Sequence, residues 1–300
     1  MNRKNLFLLI VVIIFITIIF IKSSYVNKII VDITLIFIKS IFPSLFIMFV
    51  TSNILIKFGF PELISTIVSK TIGKNVNKYS LFVFITSMFA GSPTNAKIIN
   101  DLVEDKKITT SSAEKILKYT SFVNPLFIIN TVGTLINDKN IAIIILISHI
   151  LGNIVLFFIF RDKTIYRDNF EIKKENTLKT LFSSINSAVL AILNIYGVIC
   201  FFAVISFVIN IILGIDNIYL SSFLEISNGV YLISKSSINL SFKCSMLTFF
   251  ISFGGFSIHS QIINILEEKD IKYSKFFLAK LLHGFISSII SILILSIYRG

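Results

Sequence analysis

Apolar residues occur along this chain in long blocks, which short polar groups separate. The first block, Leu6 to Ile21, lies between basic residues and predicts a membrane span. Inside lipid such a block forms an α-helix, because every backbone group must be hydrogen-bonded within it. We therefore expect an all-α integral membrane protein with about six transmembrane helices, at residues 6–21, 41–56, 109–136, 141–160, 188–213 and 273–298.

Glycine-containing segments interrupt the apolar pattern at two places. At Gly91-Ser92-Pro93, glycine allows backbone angles that a helix forbids, and proline removes a backbone donor. At Gly254-Gly255-Phe256, a second apolar run is interrupted. Bare backbone groups at membrane depth are tolerated only where protein or a water-filled cavity covers them. We therefore predict two re-entrant helical hairpins, at about 79–105 and 239–268.

The two interruptions belong to an internal repeat. A shift of 164 residues places Gly91 on Gly255 and Ile98-Ile99-Asn100 on Ile262-Ile263-Asn264. Three predicted spans separate the hairpins, and an odd number puts them on opposite sides of the membrane. This is the inverted repeat of many secondary transporters. We expect one domain over the whole chain, with repeat 1 at about 41–160 and repeat 2 at about 188–298.

Composition supports a membrane protein, since 55% of the residues are hydrophobic and the mean hydropathy is +0.88. The net charge of +12 does not indicate nucleic acid, because the basic residues lie at the ends of apolar blocks, where they orient a membrane protein. Their distribution predicts that both termini and residues 161–179 are cytoplasmic and that residues 269–275 lie outside. The predicted location is the cell membrane, with lipid rather than nucleic acid as a partner.

Candidate binding residues follow the first interruption. Thr94 and Asn95 offer a hydroxyl, an amide and free backbone N–H groups at a helix start, which attract anions, or they simply cap the helix. Lys97 places a charge in an apolar context, which favours a cavity or a partner; the alternative is that its ammonium snorkels to the surface. With Ser92 at the turn, these residues predict one half of a binding site.

The second interruption supplies the other half. His259 and Gln261 occupy the matching place after the second interruption, although His259 could instead be a hydrogen-bonded structural residue. Asn124 precedes a further break at Pro125. Lys280 and His283, one turn apart on the last helix, either line the cavity or mark its edge, and the edge is favoured. The predicted substrate-binding residues are therefore Ser92, Thr94, Asn95, Lys97, Asn124, Ser257, His259 and Gln261, and the predicted hinge residues are Gly91, Pro93, Pro125, Gly254 and Gly255.

Enzyme chemistry is not indicated by any motif. The chain has neither a phosphate-binding glycine loop nor a zinc-protease or serine-hydrolase signature, and Ser257 and His259 are two residues apart, so they do not face each other on one helix. Cys200 and Cys244 stand in apolar surroundings without metal-ligand spacing. We expect no enzyme, cofactor or metal. The expected partners are a small solute, a coupling ion (H+ or Na+) and, as an option, further copies of the chain.

Several of these segments resemble one family. They look like the motifs of the YlbJ-like sporulation integral membrane proteins and occur in the same order. The segments are Phe42-Pro43-Ser44-Leu45-Phe46, Gly91-Ser92-Pro93-Thr94-Asn95-Ala96-Lys97, Pro125-Leu126-Phe127-Ile128-Ile129, Leu224-Glu225-Ile226-Ser227-Asn228-Gly229 and Phe253-Gly254-Gly255-Phe256-Ser257-Ile258-His259. The similarity covers roughly residues 40–290. Ser92 and Asn95 depart from it, since they stand where the family has Tyr and Gly.

That family is similar to the gate-type nucleoside-recognition domains and to the concentrative nucleoside transporter fold. The resemblance implies a secondary transporter with alternating access, and for spore-forming members it implies movement of dipicolinate across a forespore membrane. The alternatives are a nucleoside-type transporter and a non-transporting assembly or signalling protein of sporulation. Because the departures lie at the predicted tips, the resemblance supports the fold better than the substrate.

Charge near the tips favours an anion. The half-helices that begin at Thr94 and Ser257 would each present about +0.5 of an elementary charge at their N-terminal ends. Lys97 would add a full charge, and residues 79–100 and 239–266 contain no Asp or Glu. We therefore predict a small organic carboxylate anion as the substrate.

Overall fold

A computed structural model gives the chain as a bundle of α-helices. It describes residues 2–59, 63, 67, 77–164, 177–215, 217–269 and 271–299. Those ranges contain helices and connecting segments without a strand, so the predicted all-α class is confirmed. In chain order the helices are α1 (Arg3–Ile21), α2 (Ser23–Ile36), α3 (Phe42–Lys57), α4 (Lys78–Ala90), α5 (Thr94–Glu104), α6 (Thr110–Tyr119), α7 (Gly133–Ile136), α8 (Lys139–Phe160), α9 (Thr177–Leu213), α10 (Ile218–Leu224), α11 (Ile226–Lys235), α12 (Leu240–Phe253), α13 (Gly255–Leu266) and α14 (Tyr273–Arg299).

Two π-helical segments and one 3-10 turn extend these helices. Phe37–Ile41 joins α2 to α3, Phe127–Val132 leads into α7, and Glu267–Lys269 follows α13. The first of these joins makes one continuous helical stretch from α2 to α3.

Five helical stretches are long and apolar enough to cross a membrane: α1, α8, α9, the pair α12 and α13 taken together, and α14. Much of their apolar surface faces outward. Helix α1 buries no residue, and Phe20 and Ile297 are 78% and 81% exposed. Continuous exposed apolar surface of this extent belongs in lipid rather than in water. The chain is therefore an integral membrane protein.

Helices α4 and α5 pack against each other as a short hairpin. Helix α4 begins where the Asn77 side chain accepts a hydrogen bond from Tyr79 N (2.9 Å), as N-cap residues do. It ends at Gly91, whose φ of +79° suits glycine alone, and Pro93 then precedes α5. The predicted interruption at residues 91–93 thus reverses the chain.

The break at Pro125 interrupts an element that crosses the molecule. Helix α6 ends at Tyr119, residues 120–124 are not helical, and helix resumes at Pro125 and continues through α7. Proline suits a first helical position because it has no N–H to leave unpaired. Lys115 of α6 pairs with Asp162 (3.3 Å), beyond the end of α8, whereas α7 leads directly into the start of α8. The broken element therefore runs antiparallel along the whole of α8.

The hairpin predicted at 239–268 is wrong, because α12 and α13 lie end to end along α14. As the chain advances through α12 and α13, its contacts recede along α14. Successive contacts are Ser245 Oγ to Ser288 Oγ (2.7 Å), the rings of Phe249 and Phe285 (5.0 Å), the rings of Phe256 and Phe277 (6.2 Å), and His259 Nδ1 to Tyr273 OH (3.2 Å). Gly254 offsets this element without reversing it, so α12 and α13 form a second broken crossing element.

The second hairpin lies earlier in the chain, in α10 and α11. These helices pack against each other with Glu225 at their junction. Asn217 caps α10 by accepting from Tyr219 N (2.9 Å), and Lys243 ties the end of α11 to α12 by donating to Ser234 O (3.0 Å). The segment with mixed polarity before residue 239 is therefore the hairpin, and the apolar run after it is the crossing element.

Both halves of the molecule now follow the same order: a hairpin, a broken crossing element and a long helix. Asn124 and Gly254 mark the two breaks, so the halves are displaced by about 130 residues rather than 164. The hairpin bases lie at opposite ends, since Asn77 Nδ2 donates to Asp162 Oδ2 (2.7 Å) while α11 packs against α7. The Ile-rich match between residues 98–100 and 262–264 is a similarity between non-equivalent helices.

The polar segments that precede α9 and α14 lie at the same end of the molecule. Lys275 pairs with Glu114 (2.8 Å), and the neighbouring Lys115 pairs with Asp162. The prediction that these segments lie on opposite sides is therefore wrong. The prediction failed because α12 and α13 cross the molecule, whereas the predicted hairpin would have returned the chain to the side from which it came.

The C-terminal end of α14 lies at the other end of the molecule. Asn140, at the start of α8, donates to Tyr298 OH (2.9 Å). Helix α8 carries the chain from there to Asp162, so Tyr298 and Asp162 are a full helix length apart. The predicted placement of the C-terminus on the side of residues 161–179 is wrong for the same reason.

Candidate functional site

Each hairpin tip packs against the break in the crossing element that follows it. A Cβ on Gly91 would lie 2.9 Å from Asn124 N, and a Cβ on Gly255 would lie 3.2 Å from Ile226 N. Both contacts are between backbones, and they require glycine because any side chain would separate them. The two tips and the two breaks therefore meet at the centre of the molecule.

The first tip is also hydrogen-bonded to its break. Ser92 N donates to Phe122 O (2.7 Å), and Asn95 Nδ2 donates to Ser121 Oγ (2.9 Å). The Phe122 carbonyl is able to accept because it lies in the non-helical stretch 120–124, and the second acceptor is the Ser121 hydroxyl. The first hairpin and the first broken element are thus joined by backbone as well as side-chain contacts.

Two side chains cap the helices that begin at this centre. Asn124 Oδ1 accepts from Leu126 N (2.9 Å) at the first break. The Glu225 carboxylate accepts from Ser227 N (2.9 Å) and Asn228 N (2.6 Å) at the second tip. Both are N-cap geometries, but one cap is a neutral amide and the other is a carboxylate.

A cavity, called the main cavity here, lies between the tips and breaks. Apolar residues of α3, α9 and the π segment before α7 form its walls. Its volume is about 60 Å³, room for a few water molecules. Ser92 Oγ and Asn124 Nδ2 are buried without a hydrogen-bond partner. Its polar lining residues are Ser92, Asn124, Glu225, Ser227, Ser257 and Gln261.

Glu225 places a carboxylate in the main cavity. It is 0% exposed, and none of the ion pairs among the described residues includes it. Its negative charge faces backbone N–H groups at the start of α11. Residues 79–100 and 239–266 contain no Asp or Glu. The fold nevertheless brings Glu225, which lies outside these ranges, to the main cavity.

A smaller cavity adjoins the main cavity and shares Ser92, Val123 and Ile258 with it. Lys280 and His259 line this small cavity. Lys280 is 3% exposed and lines the small cavity, as the less favoured of the two predicted alternatives has it. His283 is 0% exposed and contacts Lys280. They lie at the centre because α14 packs along the whole second broken element.

A chain of polar contacts surrounds Lys280. Its Nζ donates to Ser121 O (3.1 Å) and contacts His283 Nδ1 (3.1 Å). His283 Nε2 donates to His149 O (3.0 Å), and His149 Nε2 accepts from Val123 N (3.0 Å). These residues join the first break to α8 and α14.

Several residues predicted for the site converge on the two cavities. Ser92, Asn124, Ser257 and Gln261 line the main cavity, and Ser92 and His259 line the small one. The hinge candidates Gly91, Pro93, Pro125, Gly254 and Gly255 all lie at a tip or a break. Their roles in binding and movement stay predictions.

Other predicted residues lie apart from the cavities. Asn95 is buried and holds Ser121, while Thr94 N donates to Gly91 O (3.1 Å) within the turn. Lys97 is exposed on α5, near Asp101 one turn further along. The structure therefore places Lys97 on the surface, as the snorkelling alternative describes.

Sequence reasoning missed Glu225 and Ser227, and for Lys280 it favoured the edge of the cavity over the lining. An ionisable residue within an apolar stretch was the available signal for Glu225, since such residues mark functional sites in membrane proteins. Among the described residues, no three His, Cys, Asp or Glu side chains converge as metal ligands.

Comparison with known proteins finds similarity to a sporulation protein. No family model matches the chain, and no solved structure matches it. The chain is 24% identical to the sporulation integral membrane protein YlbJ of Bacillus subtilis (strain 168), over 84% of this chain and 73% of that protein. This similarity agrees with the resemblance seen in the motifs. The chain is therefore a multi-pass integral membrane protein that is similar to YlbJ.

Proposed function

We propose that this protein is a secondary membrane transporter that carries a small organic solute through the main cavity. The observation that supports this most directly is the meeting of two hairpin tips and two helix breaks around one polar cavity. Broken helices that meet at the bilayer midplane form the binding sites of many transporters. The implied relation to the concentrative nucleoside transporter fold would produce the same arrangement, and it stays a prediction.

Alternating access would work by parting one tip from its break at a time. The hairpins approach the centre from opposite ends, so each tip separates the cavity from a different end. The cavity volume of about 60 Å³ is too small for a nucleoside or an aromatic dicarboxylate. Solute would therefore enter only when Gly91 leaves Asn124 or when Gly255 leaves Ile226.

A small organic anion such as dipicolinate is the first candidate solute. The helix start after Asn124 and the ammonium of Lys280 favour an anion. Glu225 opposes it, because its carboxylate lines the same cavity. A dianion would bind best with a proton on Glu225, so its binding would strengthen as pH falls.

A neutral, nucleoside-type solute is the second candidate. Glu225, Asn124 and Gln261 would accept and donate hydrogen bonds to ribose hydroxyls and to a base, and Phe127 and Phe49 provide apolar walls. Its binding would not need a proton on Glu225, so it would be less sensitive to acid.

Flux into proteoliposomes tests these proposals. Purified full-length protein is reconstituted, and uptake of labelled dipicolinate and uridine is measured at about pH 6 and pH 8, with protein-free liposomes as the control. Dipicolinate uptake that is faster at pH 6 supports the anion, and uridine uptake supports the neutral solute. Absence of uptake for both, and for a wider panel of organic acids and nucleosides, would favour the non-transporting assembly or signalling role.

Orientation in the cell membrane follows from the basic residues. The end that carries Asp162 also carries Lys115, Lys118, Lys269 and Lys275, so the positive-inside rule makes it cytoplasmic. In a spore-forming host the membrane would include that of the forespore.

A further inference from the structure

A lysine without an acidic partner is buried beside the main cavity. Lys280 is 3% exposed, and its ammonium contacts Ser121 O and His283 Nδ1, both at 3.1 Å. Neither partner is negatively charged, and the ion pairs found within the described ranges do not include this lysine. Buried charges are normally paired. Something other than an ion pair therefore stabilises this one.

The ends of two broken helices supply that stabilisation. Ser121 follows the C-terminal end of α6, and Gly254 follows the C-terminal end of α12. The Cε of Lys280 is 3.9 Å from the position that a Cβ on Gly254 would occupy. Each helix end carries about −0.5 of an elementary charge. These partial charges attract the ammonium but hold its proton less tightly than a carboxylate would.

Hydrogen bonding around His283 leaves one proton to be shared with Lys280. His283 Nε2 must donate to His149 O (3.0 Å), because a carbonyl only accepts. His149 accepts from Val123 N at Nε2 (3.0 Å) and donates from Nδ1 to Ser252 Oγ (2.9 Å), so its ring is neutral. The bond between Lys280 Nζ and His283 Nδ1 therefore contains a proton that either nitrogen is able to hold.

We propose that Lys280 and His283 form a proton-binding site that exchanges its proton with the main cavity. This proposal rests on the proposed transport function, for which it identifies H+ as the coupling ion. The pair would be positive when loaded and neutral when empty. A loaded pair favours an anionic solute, and by linkage the bound anion favours the proton to the same extent.

The groups that face the pair make exchange through the small cavity feasible. His259 of α13 lines the same cavity, where its Nε2 donates to Phe253 O (2.9 Å) and its Nδ1 contacts Tyr273 OH (3.2 Å). His149 of α8 is neutral as shown above. Glu225 lines the neighbouring main cavity, and its Cα lies 3.6 Å from the position that a Cβ on Gly255 would occupy. None of these groups holds the proton of the pair by a direct ion pair.

Nitrogen-15 NMR of labelled histidine tests the site directly. The chain contains three histidines, so each ring is resolved by replacing one at a time. We would record full-length protein in lipid vesicles between about pH 5.5 and pH 9. The expected result is a pH-dependent shift of His283 Nδ1, with His149 unchanged throughout. A His283 Nδ1 signal that does not move with pH in the wild type would make Lys280 a fixed structural charge and overturn the proposal.

A matched pair of lysine variants separates the site from a general charge effect. Lys280→Met should move the His283 Nδ1 signal to that of an unbonded acceptor and remove its coupled titration. Lys97→Met removes the same charge from an exposed position and should leave all three rings as in the wild type. If Lys280→Met fails to fold, the wild-type titration alone decides.

Flux measurements then distinguish the proton site from transport itself. An inward proton gradient should accelerate solute uptake at least tenfold in wild-type and Lys97→Met proteoliposomes but not in Lys280→Met. Uptake without gradient dependence would overturn coupling at this site while leaving transport intact. A titrating His283 in a protein that moves no solute would instead contradict the transport function and retain the proton site.

Discussion

The two halves of the molecule break their crossing elements by different means. In the first half, five non-helical residues precede a new helix that Asn124 caps and Pro125 begins. In the second half, two consecutive glycines with positive φ, Gly254 (+94°) and Gly255 (+66°), lie where α12 ends and α13 begins, and α13 has no side-chain cap of its own. Glu225 of the neighbouring hairpin lies against that helix start instead. The first break is therefore built from local sequence and the second from a tertiary contact.

This difference decides the charge of the site. In the first half the cap is the neutral amide of Asn124. In the second half the hairpin brings the carboxylate of Glu225 to the break. Lys280 lies close to Gly254, and Glu225 lies close to Gly255. The carboxylate therefore belongs to the second break, whereas the ammonium lies between the two breaks, since Lys280 Nζ also donates to Ser121 O at the first (3.1 Å).

The largest expected effect concerns whether α12 and α13, the element that contains the second break, cross the membrane. Single cysteines at the exposed positions Lys163, Lys272 and Lys235 are placed in a background without Cys200 and Cys244. Residues 163 and 272 should label with an impermeant reagent from one face and residue 235 from the other. If residue 272 labels with residue 235, α12 and α13 turn back and the two halves are not equivalent.

Glycine substitutions should separate the two breaks by stability. Gly91→Ala should cost about 3 kcal/mol or more, because its φ of +79° and ψ of 175° suit glycine alone and a Cβ would meet Asn124 N at 2.9 Å. Gly254→Ala should cost about 1–2 kcal/mol, since it adds left-handed strain without a close contact. Denaturant unfolding of purified protein gives both values.

Gly197→Ala is the control for these variants, because Gly197 lies within α9 and a Cβ there would meet nothing within 4 Å. It should leave stability unchanged or slightly higher. Equal losses for Gly91→Ala and Gly254→Ala would mean that the tip-to-break contact at Asn124 adds nothing.

Removing the carboxylate from the second half and adding one to the first should change the affinity for the anion in opposite directions. Glu225→Gln should strengthen dipicolinate binding at about pH 8 by roughly tenfold, about 1.4 kcal/mol, because it removes the negative charge of the cavity. Asn124→Asp should weaken it by a similar factor, since its Oδ1 cap is kept and a second carboxylate is added. Calorimetric titration in detergent measures both.

The double variant Glu225→Gln with Asn124→Asp completes the comparison. It has one carboxylate, as the wild type has, and its affinity should return to within a few-fold of the wild type. Affinity that is indifferent to all three variants would show that the anion does not bind in the main cavity.

The smallest expected effect concerns the bases of the two hairpins. The first base is held by a negatively charged side chain, Asp162, and the second by a positively charged one, Lys243. Asp162, at the first base, is buried, which raises its pKa, but hydrogen bonds from Ser112, Thr164 and Asn77 outweigh this and lower the pKa below its usual 3.8. Its contribution to stability is therefore present above about pH 4 and is lost as pH falls through the lowered value. The second base is held instead by Lys243, which donates to the carbonyl groups of Ser234 and Ser236 and not to a carboxylate.

Hydrogen exchange measured at about pH 6 and pH 3 tests this difference. The first hairpin should lose protection in acid while the second keeps it. Asp162→Asn should remove the pH dependence of the first hairpin, and loss of protection in both hairpins together would indicate general acid unfolding.

Much of the fold was determined by the sequence alone. Apolar blocks predicted the helices and the membrane, because burial in lipid requires both an apolar surface and internal backbone pairing. Both breaks and four residues of the main cavity were found from Gly and Pro positions, because these residues change backbone geometry wherever they stand. The motif order indicated the YlbJ-like relationship that the sequence comparison confirms.

Tertiary structure alone decided which break reverses the chain. Half-helices of 12–14 residues are only about 20 Å long, so two of them in series suit a hairpin and a broken crossing element equally well. Packing along α14 selects the crossing element, and that choice moves the second hairpin to α10 and α11. It also brings Glu225 and Lys280 to the centre and leaves Lys97 outside. No local pattern contains this information, because the partners that decide it are distant in sequence.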